Sequence, residues 1–117
     1  MNVGIDLVEI PRIEKCIQRE GFLKRFFSKE ENELFATKKN PAETVAGRFC
    51  VKEAFSKALG TGVRDFSLDE ITTLNDELGA PYIKLTGKAA ELLGKRRLSV
   101  SITHTKQYAS AVVIIYD

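Results

Sequence analysis

The chain has 117 residues, with a single histidine and only two cysteines. His104 stands without the serine or cysteine and acidic partners of a nucleophilic triad, so that chemistry is not expected. Cys16 and Cys50 lie in no metal or redox spacing, and a small secreted domain would carry more cysteine. Reduced thiols in a cytoplasmic protein are expected. The longest apolar run, residues 111–116, is far short of the ~20 residues that span a bilayer, so no membrane association is expected. The opening MNVGIDLVEI has no basic region followed by a long apolar run, so it does not read as a signal peptide. There is no Walker-A spacing and no G-x-G-x-x-G run, which argues against a nucleotide-dependent kinase. Repeats and low-complexity tracts are also missing. A net charge of +2 makes no demand for nucleic acid, so any basic partner surface must come from local clustering.

What is present reads as one domain over residues 1–117. NVGIDLV is short, β-branched and apolar, the pattern of a buried strand. Pro11 suits the first turn of a helix, and Ile10, Ile13 and Ile17 recur at helical spacing. Ser28 and Glu31 form a capping-box pattern that opens a second helix. Asn40-Pro41 starts a third, which runs to Leu59 and stops at Gly60. DEITTLN and PYIKLT then read as strands joined by turn residues, GKAAELLG as a short helix, and LSVSITH with YASAVVIIY as a hairpin. Helices gather early and strands late, so the expected class is α+β, with an N-terminal strand and helices packed on a mainly antiparallel sheet.

The third helix carries the first candidate chemistry. At about 100° per residue, Ala46, Phe49, Cys50, Glu53 and Lys57 share a face, while Gly47, Val51, Ala54 and Ala58 fall nearly opposite. A helix apolar on two sides is buried on two sides, and an unpaired Glu53 there would be costly. One reading is an i,i+4 ion pair with Lys57. The other is half of a metal site. Asp6, which interrupts an apolar strand, is the natural second carboxylate, unless it is a strand-end residue facing water. Two carboxylates with water and a substrate phosphate suit Mg²⁺.

Other signals are weaker. Gly60-Thr61-Gly62 is either a helix cap and turn or a place where phosphates approach the backbone. In SVSITHT, Ser101, Thr103 and Thr105 share one face, which is either an exposed strand face or a row of phosphate-binding hydroxyls near His104. Arg12, Lys15 and Arg19 align on the first helix, followed by Lys24 and Arg25. This face is either simply solvated or a landing strip for an acidic partner. No aromatic residues interleave with those side chains, so a base-stacking platform is not suggested.

Together the pieces resemble one family. GIDLVEIPRIE is similar to the opening of the holo-acyl-carrier-protein synthases, and GRFCVKEAFSKALGTG to their second signature. NDELGAPYI and SVSITHTKQYASAVV resemble their C-terminal strands, so the likeness spans essentially the whole chain. The resemblance implies a 4′-phosphopantetheinyl transferase that moves the arm of coenzyme A onto a serine of apo-acyl carrier protein, in support of fatty acid biosynthesis. It implies Asp6 and Glu53 as Mg²⁺ ligands and Lys57 against the phosphates. Arg48 and His104, with Thr103 alongside, would meet the adenosine 3′-phosphate end, and Gly60 and Pro81 are further coenzyme A positions. Arg12, Lys15, Arg19 and Arg25 would dock the acidic carrier protein. A homotrimer with shared sites is expected. Ala80 and Cys50 depart from residues common in the family, where lysine and alanine are usual. A non-catalytic adaptor that binds an acidic protein through the basic first helix is the competing reading.

Overall fold

The passage from strand to helix at the start of the chain sets the architecture. In the computed structural model, which describes residues 1–60 and 65–117, β1 (Asn2–Glu9) runs without a loop into α1 (Ile10–Ile17). Pro11 sits in the first turn of α1, and Ile10 and Ile13 are buried. Next come α2 (Phe22–Phe26), α3 (Lys29–Ala36) and the long α4 (Ala42–Leu59). A 3-10 turn (Leu68–Glu70) leads into β2 (Ile71–Asn75), β3 (Pro81–Leu85), α5 (Gly87–Leu93), β4 (Arg97–His104) and β5 (Tyr108–Tyr116). The capping box that opens α3 is complete, with Ser28 and Glu31 each bonding the other's backbone N–H.

The fold is α+β. One sheet has the order β1-β5-β4, and β2 and β3 make a second, two-stranded one; every pairing is antiparallel. The C-terminal strand therefore lies between the N-terminal strand and its own hairpin partner. α4 packs across β1 and β5 and is buried on nearly every side, from Val45 to Ala58. Gly4 makes this contact possible, because a Cβ there would lie 1.9 Å from the Ala54 carbonyl oxygen. Gly60 ends the helix in the left-handed region, at φ 81°.

Two expectations need correction. NVGIDLV is not a buried strand: β1 is an edge strand whose Val3, Ile5 and Leu7 are all more than 60 % exposed. Only the alternate residues face α4, and a continuously apolar run hid that alternation. The second difference is α2, a helix too short to show a period in the sequence. Because of it the basic residues do not share one helix: α1 ends at Ile17, Arg19 lies beyond it, and Arg25 belongs to α2.

Candidate active site

Asp6 sits in the middle of β1 on the face turned toward α4, opposite Ala111 in the register. Its side chain is 16 % exposed, and its Oδ2 is buried with no hydrogen-bond partner among the described residues. An orphaned carboxylate oxygen is expensive unless something positive meets it. Glu53 comes to the same place from α4. Burial raises its carboxyl above the ordinary value, the neighbouring Asp6 charge adds to this, and Lys57 opposes it. Lys57 donates to the Ile5 carbonyl oxygen at 2.9 Å and lies 3.3 Å from Asp6 Oδ1. It makes no ion pair with Glu53 among the described residues. The helical spacing put Glu53 and Lys57 on one face; the strand opposite supplies the closer partner.

Asp6 and Glu53 border a cleft of about 590 Å³, whose other walls include Val8, Arg12, Ile13 and Phe49. Its lining mixes apolar and charged side chains. Cys50 lies beneath, donating to the Ala109 carbonyl oxygen at 3.3 Å. Burial, with the Asp6 charge next in importance, pushes its thiol up to about 12, so it is an inert packing group.

Arg48 and His104 come together at the other end of α4. They share a small cavity of about 80 Å³ with Glu43, Thr44, Gly47 and Ile102. Arg48 is buried, and burial pulls its guanidinium below the ordinary value while the Glu31 charge works against that. Its Nε donates to the Thr73 carbonyl oxygen and its Nη2 to Asn75 Oδ1. Asn75 in turn faces Pro81 across the β2–β3 ladder, so Pro81 is one residue removed from the arginine. His104 Nε2 lies 2.8 Å from Glu43 Oε1. Thr103 does not line this cavity, because it points to the outer, exposed face of β4 with Ser99 and Ser101. Gly60 is exposed at the helix end; Thr61 and Gly62 lie outside the described residues.

Arg12, Lys15, Arg19 and Arg25 are all exposed, but of these only Arg12 reaches the cleft wall, 4.0 Å from Glu9. Lys15 points outward from α1, and Arg25 stacks over Phe26 at 5.3 Å. Four contributors had no clear site signal in the sequence. Lys52 is fully buried and donates to Glu31 at 2.7 Å, to the Leu68 carbonyl oxygen at 2.9 Å and to that of Ile71. Glu31 also accepts from the backbone N–H of Thr73 at 3.0 Å. This pair ties α3, α4 and β2 together and so fixes the rotation of the helix that carries Glu53. Asn75 and Glu43 are the other two. Only Glu31 left a trace, as a capping-box member, and that role did not require burial.

Residues 2–113 match the family model described as the 4′-phosphopantetheinyl transferase superfamily. A holo-[acyl-carrier-protein] synthase of Fusobacterium nucleatum is 43 % identical, covering 98 % of both chains. One of Treponema denticola is 44 % identical, covering 98 % of this chain and 97 % of its own. Among solved structures, the synthase of Bacillus anthracis in complex with CoA (3′,5′-ADP) superposes with TM-score 0.87 at 34 % identity, over 98 % of this chain and 95 % of that one. The Helicobacter pylori synthase in complex with coenzyme A superposes with TM-score 0.84 at 38 % identity, over 97 % and 98 %. The chain therefore belongs to the holo-[acyl-carrier-protein] synthases of the 4′-phosphopantetheinyl transferase superfamily.

Proposed function

We propose that this protein, acting as a single domain over residues 1–117, transfers the 4′-phosphopantetheine arm of coenzyme A to a serine of apo-acyl carrier protein. The products are holo-carrier protein and adenosine 3′,5′-bisphosphate, and the reaction serves fatty acid biosynthesis in the cytoplasm. The observation that carries the reading is the meeting of Asp6 and Glu53 at one cleft, with Lys57 against Asp6, in a chain of this family. No helix among the described residues is long and apolar enough to cross a membrane.

A buried Asp6 Oδ2, unpartnered among the described residues, beside a desolvated Glu53 is a donor set that fits Mg²⁺, with water and phosphate oxygens as the remaining ligands. Bound between those carboxylates, the ion would neutralise and orient the pyrophosphate oxygens. The carrier serine hydroxyl attacks the phosphorus nearer the pantetheine arm, and the bond to the bridging oxygen breaks. Glu53 is the candidate group to take the serine proton. Lys57 supplies positive charge where the leaving bisphosphate develops its own negative charge. Arg48 and His104 bind the adenosine 3′-phosphate end, with Gly60, Pro81 and Thr103 as outer coenzyme A contacts. Arg12, leading Lys15, Arg19 and Arg25, steers the acidic carrier protein to the cleft.

The protein is read as a homotrimer with sites between protomers. What supports a self-association surface is the outer face of the sheet, where exposed Val3 and Ile5 lie opposite Ile114 and Val112. The adaptor reading is not favoured, since the relatives that match nearly end to end are named as synthases. Incubation with coenzyme A, Mg²⁺ and an apo-carrier protein tests the proposal by chromatography of the nucleotide. Release of adenosine 3′,5′-bisphosphate is expected. Its absence with every carrier tried overturns the reading.

A further inference from the structure

We propose that Glu43 tempers the affinity for the co-substrate by competing with its 3′-phosphate for His104, in the cavity that Arg48 shares. This rests on the reading that those two residues bind that phosphate.

The argument starts with Arg48. A guanidinium has five N–H donors, and two of its nitrogens are occupied, by Thr73 and Asn75. Among the described residues no carboxylate lies within ion-pair distance of it, although it is buried. Its positive charge is thus left for something that enters the cavity it shares with His104. Glu43, on the first turn of α4, lines the same cavity and has its Oε1 2.8 Å from His104 Nε2. A phosphate arriving at His104 meets that carboxylate, and two anions on one imidazole repel.

Binding is therefore an exchange in which a carboxylate leaves as a phosphate enters. Glu43 has somewhere to go. It also borders a neighbouring groove of about 530 Å³ that carries Lys38 and Lys39. Both Glu43 and His104 are about half exposed, so the swap needs only side-chain rotation and opens nothing in the core. A ligand lacking the 3′-phosphate has nothing to exchange for the carboxylate. The carboxylate thus lowers affinity for the phosphorylated nucleotide and narrows the gap to its monophosphate analogue, which eases release of the bisphosphate.

Calorimetric titration of the intact protein with adenosine 3′,5′-bisphosphate and with adenosine 5′-monophosphate tests the proposal. In Glu43→Gln and in Glu43→Ala, affinity for the bisphosphate should rise about fivefold, the order expected from removing one like charge at about 4 Å in water. Affinity for the monophosphate should not change. Glutamine retains a hydrogen-bond acceptor for His104 and alanine does not, so weaker bisphosphate binding in the alanine variant alone would show that Glu43 orients the imidazole, and overturns competition. Wild-type discrimination that neither variant increases also overturns it, while leaving the 3′-phosphate site intact. A wild type that binds both nucleotides equally would overturn the site assignment, and the inference with it.

Discussion

Lys57 Nζ reaches from α4 across to β1, 3.3 Å from Asp6 Oδ1, and does not turn back to Glu53 on its own helix. The cation of one element thus pairs with the carboxylate of another. The pair sits at the rim, with the Lys57 side chain 55 % exposed, so it contributes little to the fold. In the proposed reaction its value is a positive charge beside Asp6, at the site read as receiving the phosphates.

Lys57→Ala should therefore separate activity from stability. Turnover is expected to fall by about 100-fold or more, as when one donor to a developing anion is removed. Stability should change by less than about 1 kcal/mol. Steady-state kinetics and urea titration check the two halves, and a large loss of stability would contradict the assignment.

Glu53→Gln should abolish turnover and stabilise the metal-free protein. Burial and Asp6 raise the Glu53 carboxyl in the folded state above its unfolded value, so the proton is held more tightly when folded. That contribution is complete below the unfolded value, at about pH 4.3, and is lost as pH rises through the folded value. At neutral pH the wild type bears the cost and the glutamine variant does not. Thermal melts in chelator should show a higher Tm for the variant at pH 7.5, with the difference shrinking toward pH 4.

Lys52→Met should cost about 3–5 kcal/mol, because it strands the Glu31 carboxylate in the core. Since Lys52 also fixes α4, kcat should fall even under conditions where the variant remains folded. Chemical denaturation and kinetics below the transition check both effects.

Ile5→Glu tests the exposed sheet face. The substitution places charge on the outer side of β1, away from α4, so the subunit fold should persist. Light scattering should show dissociation of the assembly, accompanied by loss of turnover if the sites lie between protomers. An unchanged mass in solution would contradict the proposed use of that face.

Much of the framework was readable from local pattern. The two-sided burial of α4, the Ser28–Glu31 box, the stop at Gly60 and the β4–β5 hairpin all depend on residues near one another in sequence. What escaped depends on partners from distant elements. Helical spacing placed Glu53 beside Lys57 but carried no information about β1, which supplies Asp6 and the Ile5 carbonyl. The direction of Arg48 is set by Thr73 and Asn75 on β2, both distant from it in sequence. The outer face of β1 looked like core, because its exposed Val3, Ile5 and Leu7 are side chains that a core also selects. The carboxylate pair was legible only as two unusual acids, and the family likeness supplied the reaction.

The central claim, that the Asp6–Glu53 cleft moves a phosphopantetheine arm, is most directly tested by intact-mass measurement of an apo-carrier protein after incubation with coenzyme A. The account predicts a gain of one phosphopantetheine arm with wild type and Mg²⁺, and none with chelator or with Glu53→Gln. Full modification by Glu53→Gln, or none by wild type with any carrier protein, would contradict it.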